Sequence, residues 1–465
     1  MIPYMRLEVL SQAEIERIDR AMVTILSRTG LAVENKVICE MLAEYGAQVD
    51  FAAQRVRFSE PLIRRFLEES EEVDAADSRP AIRGQAGVYQ GLYLEPGTNE
   101  LKPFTEETLI GYIRLAHLLD GVTGIHMQNH PLASARATEP LELRIFAWKH
   151  GARDVGSIQL TALCPYLLEM YEIKAEAEGK SLAETFNGGA FMISPLRIPA
   201  HEAEQVMYFH ERGLPVRMTN MLTAGGTGPV TLAGCVALNL AECVAMGVVN
   251  RALHGDRGWR LGGSITALDM RTLIQPYGRP EMLMANLANI QLARHYRVAG
   301  GVHTGLTDAK LPSHEAGVQK LLTALPCALA GGANIEPGLL SIDEVFSPIQ
   351  MILDAELVRA MRHVVRGFEV NDETLAVDLI DEVGPGGLFT DREHTARHFR
   401  TEQWEPQVWA REMVQAWLIG ERKIDAERAF DLWRELMAGP ESEPMIDAET
   451  EKRLWDVVER AKQRL

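Results

Sequence analysis

Apolar positions recur along the chain at two spacings that take turns. Behind Ser11, which can cap a helix with Glu14 as its partner, Ile15, Ile18, Met22, Ile25 and Leu26 follow three and four apart until Gly30. A second helix is expected over residues 35–45 and ends at Gly46. An extended piece from Val49 to Phe58 leads to a third helix, opened at Ser59 or Glu60 with Pro61 in its first turn. From about residue 85 the period alternates. Strands are expected at 88–94, 122–127, 155–160, 189–193, 215–221, 260–265, 299–304 and 333–335, with helices at 105–119, 141–150, 166–177, 200–211, 230–253, 280–296 and 315–329. That alternation fits an α/β fold of the (β/α)8 TIM barrel kind, about 250 residues long, better than a shorter doubly wound sheet. The expected layout is an N-terminal helical segment (1–80), the barrel (81–365) and a C-terminal helical extension (366–465) packed on the barrel or a partner subunit. The extension holds Trp404, Trp409, Trp417, Trp433 and Trp455 on amphipathic helices, read as packing.

Composition narrows the function. A formal charge of −18, from 65 acidic against 47 basic residues, disfavours nucleic acid as a partner and supplies no polybasic membrane anchor. No apolar run is expected to span a bilayer, and Met1–Arg6 lacks a secretory hydrophobic region, so the cytoplasm is the expected compartment. Cys39, Cys164, Cys235, Cys243 and Cys327 are dispersed without a C-x-x-C pair, which argues against disulfides and a thiolate zinc cluster. The acidic run Glu68–Asp74 reads as a solvated face and linker.

The ends of the expected strands carry the chemistry. They offer Tyr93, Glu95, His126, His130, Thr161, Ser194, Asn220, Thr223, Thr266, Asp269, His303, Asp308, Asn334 and Glu336, as the catalytic face of a barrel requires. The densest stretch is 300–314, where His303, Thr304, Thr307, Asp308 and Lys310 crowd donors, acceptors and charge into a glycine-rich loop before a helix. His126, His130 and His303 raise the question of a metal, but no H-x-H, H-E-x-x-H or obvious bridging carboxylate accompanies them. No metal is expected. The stretch Thr223–Thr231 resembles a phosphate cradle before a long helix but has no lysine, and Pro229 removes an amide donor; a structural role is preferred.

Several stretches together resemble the trimethylamine methyltransferase family. They are Gly225–Gly234 with Ala241-Glu242, then Thr307–Lys310, Gly331–Asn334, Asp354–Leu357, Asp372–Ala376, Val383–Gly387, His394-Thr395 and Asp425–Ala429. The resemblance spans nearly the whole chain; its specificity lies in the order and spacing of the motifs. It implies a barrel enzyme that passes a methyl group from a methylamine or betaine to the cob(I)alamin of a separate corrinoid protein. Archaeal trimethylamine enzymes of the family carry pyrrolysine in the barrel mouth, at a site that corresponds to the Gly305–Lys310 loop, whereas this sequence holds only the standard residues. A quaternary ammonium already makes a neutral amine the leaving group. The resemblance therefore points to the pyrrolysine-free branch and to betaines such as glycine betaine.

A trimethylammonium group donates no hydrogen bonds, so its recognition falls to aromatic faces and carboxylates. Tyr89, Tyr93, Phe104, Phe186, Phe191, Tyr277 and Phe346 are the aromatic candidates, and a betaine carboxylate would fall to His303, His126, Asn220 or Lys310. Asp308, His303 and Lys310 are expected to act on the reacting substrate by position and charge, while Tyr93, Phe186, Asn220, Thr304, Phe346 and Glu336 would bind it. Thr307 and His394 are assigned to the cobalamin side. No cofactor is expected to be tightly bound, because the nearest match to the Asp-x-His-x-x-Gly segment of corrinoid carriers, Pro312–Gly317, lacks the aspartate. A homo-oligomer is expected. A metal-dependent hydrolase or lyase on the same barrel, and a betaine-binding protein without catalysis, stand as the other readings.

Overall fold

The computed structural model describes residues 7–73 and 82–465. The Met1–Arg6 terminus, Asp74 of the acidic run and the expected boundary at residue 80 lie outside the described residues.

The α/β class follows from how the strands pair. Ile82–Val88 runs parallel to Gly124–Met127, which runs parallel to Arg153–Asp154. A parallel bridge joins Ser157 to Gly189, and Gly188–Phe191 pairs with Val216–Thr219. Met221–Ala224 pairs with Ser264–Ala267, and Arg260–Leu261 with Ala299–Gly300. His303–Thr304 then pairs with Ala333–Ile335, which pairs in turn with Ile82–Val88. All of these pairings are parallel, and helices lie between successive strands in the chain: Glu106–Leu118, Glu139–Lys149, Cys164–Glu178, Ala200–His210, Leu232–His254, Pro280–His295 and His314–Ala330.

The first strand differs from its expectation. The apolar run at 88–94 suggested one strand there, yet the strand of the parallel ladder is Ile82–Val88, and Leu92–Leu94 belongs to a separate small sheet. Glycine is the reason that Ile82–Val88 reads poorly: a Cβ on Gly84 would stand 2.2 Å from the Gly121 carbonyl oxygen, so the ladder needs a bare backbone there. The small sheet has the order Leu339–Leu340, Val345–Phe346, Leu92–Leu94, Leu101–Lys102. Its strands follow the carboxyl ends of the first and last parallel strands, and Leu340 pairs antiparallel with Val345 across a tight turn, 341–344.

The N-terminal segment holds the helices Gln12–Thr24, Lys36–Tyr45 and Glu60–Glu68, the first carrying the Ser11–Glu14 capping box. It also contributes Leu31–Val33, which pairs with Arg197–Ile198, so this segment shares one apolar core with the α/β body. One expectation is corrected. Leu232–His254, at 23 residues, is long and apolar enough to cross a membrane, but 78% of its apolar window is buried against the strands and neighbouring helices. Its Asn239 and Glu242 are fully buried and hydrogen-bonded, which marks a core helix.

Two carboxylates on the helix Pro348–Arg366 fasten the remaining parts. Asp354 forms a fully buried ion pair with Lys320, Nζ to Oδ2 2.7 Å, and also accepts from the Gly338 N–H at 2.8 Å and from Gln350 Nε2 at 2.7 Å. Glu356, two residues on, accepts the backbone N–H groups of Gln407 and Val408 and pairs with Arg359. Beyond it, the short helices Asp372–Leu375, Val377–Val383, Glu393–Glu402 and Val414–Ile419 bury no residue fully, whereas Asp425–Met437 and Ala448–Lys462 pack on the body.

Breaking the Lys320–Asp354 pair from one side leaves a buried charge without its partner, a loss of about 3–5 kcal/mol. Lys320→Met is therefore expected to lower the urea midpoint by that equivalent with an unchanged slope; a midpoint within error of the parent would show that the pair is dispensable.

Candidate functional site

Side chains converge at the carboxyl ends of four neighbouring strands. Glu336 follows Ala333–Ile335, His303 opens His303–Thr304, His126 lies in Gly124–Met127, and Tyr89 follows Ile82–Val88. His303 Nε2 and Glu336 Oε1 form a close ion pair. The Tyr89 hydroxyl donates to the same carboxylate at 3.1 and 3.2 Å and sits 3.2 Å from His126 Nε2. His126 Nε2 is 4.0 Å from Glu336 Oε1. Gly87 makes room for this packing, because a Cβ there would stand 2.7 Å from the Tyr89 ring and 3.2 Å from both Glu336 Oε2 and the His126 ring.

The backbone beneath is held as firmly. Lys320 Nζ donates to the Glu336 carbonyl at 3.2 Å, and Asn286 Nδ2 donates to the His303 carbonyl at 2.8 Å. Asp308 accepts the Tyr277 and Gly278 N–H groups at 2.8 and 3.2 Å, which fixes the half-buried Tyr277 beside the cluster.

Charge at the site is set by burial against pairing. Burial disfavours the His303 cation, but the Glu336 carboxylate outweighs it and pushes the imidazole up to about 9. Burial likewise disfavours the Glu336 anion, and the charge and hydrogen bond of His303, with His126 and Tyr89 behind, hold it down at about 2. Desolvation lowers the His126 pKa, so that ring stays neutral. Asp343 was absent from the expected residues. It stands in the turn of the small sheet; burial and the Glu336 charge push its carboxyl up to about 7. Arg153 is register-paired with His126, and residues in register share a face of the sheet. It is exposed, makes no hydrogen bond or ion pair among the described residues, and its charge is felt at His126.

The other expected residues are distributed as follows. Thr304 is buried and donates to the Asn334 carbonyl at 2.9 Å, and Thr307 donates to Gln319 Oε1 at 2.6 Å. Lys310 is exposed and folds onto the Asp308 carbonyl at 2.7 Å. Asn220 is buried between Glu242 at 2.6 Å and Asn239 at 2.9 Å. Tyr93 and Phe346 lie in a buried aromatic group with Phe104 and Tyr112, with ring centroids 5.3 to 6.3 Å apart. Phe186 packs between Tyr171 and Phe209. Phe191 is exposed at its strand end. His394 is half-buried in the C-terminal extension, its ring tilted against His398 and 3.3 Å from the Glu373 carbonyl. His130 packs against Phe146, and no group of three or more His, Cys, Asp or Glu among the described residues is arranged to hold a metal. In the glycine-rich turn the N–H groups of Gly225, Gly226 and Gly228 all bond to carbonyls of the turn itself, so none of the three is offered to an anion.

Residues 166–465 match the sequence model described as trimethylamine methyltransferase. A trimethylamine methyltransferase of Desulfitobacterium hafniense is 27% identical to this chain, over 90% of it and 87% of the relative. A glycine betaine methyltransferase of the same species is 24% identical, over 95% of each. Among solved structures, the monomethylamine methyltransferase of Methanosarcina barkeri aligns over 91% of this chain and 92% of its own, at 10% identity and a TM-score of 0.43.

The His303–Glu336 attraction needs both charges. It contributes fully between the ordinary carboxylate and imidazole values, 4.5 and 6.5, and is lost as pH rises through about 9 or falls through about 2. In Glu336→Gln, burial still opposes the His303 cation and only the weaker Asp343 charge favours it, so the His303 pKa is expected to fall from about 9, as read by histidine NMR. The stability gap to the parent should shrink between pH 6 and pH 9; a constant gap would show that the pair does not titrate as a unit.

Proposed function

The chain belongs to the trimethylamine methyltransferase family, and from that premise we propose that it moves a methyl group from a quaternary amine, a betaine such as glycine betaine, to the cob(I)alamin of a separate corrinoid protein. The observation that carries the site assignment is the convergence of His303, Glu336, Tyr89 and His126 at neighbouring strand ends. We read the parallel pairings as one eight-stranded barrel; support comes from their order, in which each strand pairs with the next and the last with the first. The absence of pyrrolysine and the similarity to a glycine betaine methyltransferase both favour a substrate whose nitrogen is already quaternary.

The acceptor cobalt supplies the nucleophile. This chain's residues bind, orient and exclude water; the reaction asks them for no proton transfer. Tyr89 and Tyr277 border the cluster and provide aromatic faces, each worth about 2 kcal/mol to a desolvated ammonium. Burial keeps both hydroxyls protonated, so they remain neutral beside the substrate. Glu336 is satisfied by His303 and Tyr89, which hold the wall rigid. Arg153, without an ion-pair partner among the described residues and on the face of His126, is the cation for a betaine carboxylate. Asp308 acts through Tyr277 as a positioning residue, and Thr304 and Thr307 hold the loop.

Reduced cobalamin mixed with the protein and glycine betaine should show the absorbance change of methylation; no transfer from any of a panel of quaternary amines, to free cobalamin or to a corrinoid protein, would reject the activity. Arg153→Ala removes a charged hydrogen bond worth about 1.5–3 kcal/mol, which is about ten- to a hundredfold in affinity. Glycine betaine should bind that much more weakly to the variant, whereas tetramethylammonium, without a carboxylate, should bind as before. Equal losses for both would place Arg153 outside the carboxylate contact.

A further inference from the structure

The turn 341–344 has an uncommon backbone. Ser341, Ile342 and Asp343 have φ of 52°, 55° and 65°, three successive non-glycine residues in the left-handed region. A single such residue costs free energy, and a β-branched one such as Ile342 more than most, so a run of three persists only where the surroundings fix it. Here Ser341 N–H donates to the Ala309 carbonyl at 2.8 Å and Ile342 N–H to the Thr307 carbonyl at 3.2 Å, which clamps the turn onto the loop after His303. The flanking strands pair Leu339 with Phe346 and Leu340 with Val345.

What the clamp presents is a carboxyl group. Asp343 is half-buried, and its Oδ1 is shielded from solvent without a hydrogen-bond partner among the described residues. Its charge is felt by Tyr277, Tyr89 and His303, and the clamp seats the turn that carries it on the loop that follows His303. The groups that act on it are Glu336 and His303 at the strand ends, Lys320 from the helix below, and its neighbour Glu344. Lys320 is committed to Asp354, and His303 to Glu336. Buried carboxylates are ordinarily paired or hydrogen-bonded. Asp343 Oδ1 has neither among the described residues.

We propose that Asp343, in its ionised form, is the counter-ion of the substrate's quaternary ammonium. The inference rests on the site assigned under Proposed function. A trimethylammonium group has no N–H to donate and is matched by a bare carboxylate oxygen flanked by aromatic rings. The cation carries no titratable proton, so a proton displaced by its binding comes from the protein. With Asp343 near 7 when free, cation binding draws it into the ionised form, and affinity rises with pH.

The test is calorimetric titration of the full-length protein with tetramethylammonium chloride at pH 6, 7 and 8, in two buffers of different ionisation enthalpy. About tenfold tighter binding at pH 8 than at pH 6, with about half a proton released per cation at pH 7, is expected. This arm needs no variant. Asp343→Asn, its fold checked by thermal melting, should bind at least about tenfold more weakly at pH 8, with no proton release and no pH dependence. Asp343→Glu should restore part of both. Parent binding that is independent of pH, or an Asn variant that keeps the parent affinity and proton release, overturns the counter-ion role and leaves the site assignment standing. Failure of the parent to bind tetramethylammonium, choline or glycine betaine at any of the three pH values overturns the site assignment and this inference together.

Discussion

The Lys320–Asp354 ion pair holds the site in place. Both groups are buried, so neither charge is tolerable alone, and each also binds backbone: Lys320 the Glu336 carbonyl, Asp354 the Gly338 N–H. Two helices are thereby pinned to the two sides of one loop. That loop begins at Glu336 and runs through the strand Leu339–Leu340 to the turn that bears Asp343. A hydrophobic pair of equal volume would pack as well but could not fix the direction of those peptide groups.

Above that anchor the charges are partitioned. Glu336 keeps its charge because His303 lies against it and Tyr89 donates to it; His303 keeps its own for the same reason. The pair is close to neutral seen from outside, and it suits a wall that must not move when a cation arrives. Asp343 meets the opposite condition. Burial and the Glu336 anion both oppose its charge, and His303 and Lys320, which favour it, have closer partners. Two carboxyls in one site thus sit far apart in acidity through their surroundings alone.

The alternation of strands and helices was readable from the period of apolar residues, since that period is set by burial on each element. The first strand was not, because Ile82–Val88 contains Gly84 and Gly87 where neighbours press on the backbone, and a bare backbone carries no hydrophobic signal. Within the site, polar identity was visible and facing was not. His303 and Thr304 are adjacent and equally polar, yet strand geometry points them to opposite faces: His303 meets Glu336, and Thr304 satisfies the Asn334 carbonyl. Asn220 and Thr307 likewise satisfy buried groups of the scaffold. Asp343 gave no signal in sequence, because a left-handed turn usually announces itself by glycine or asparagine and this one holds Ser, Ile and Asp.

The spacing of Asp354 and Glu356 on one helix connects the site to the rest of the chain. Residues two apart on a helix lie about 200° around its axis, so they face nearly opposite ways. Asp354 faces Lys320 and the loop of the site, and Glu356 faces the backbone N–H groups of Gln407 and Val408 in the C-terminal extension. The extension is otherwise thinly rooted before residue 425: its four short helices bury no residue fully, and Phe368, Leu388 and Ile419 are exposed. A carboxylate that accepts successive N–H groups is a strong attachment for a segment with so little core. The helix Pro348–Arg366 is therefore the rigid member to which both the substrate-facing loop and the extension are tied, and its two acidic residues divide that work by the face each occupies.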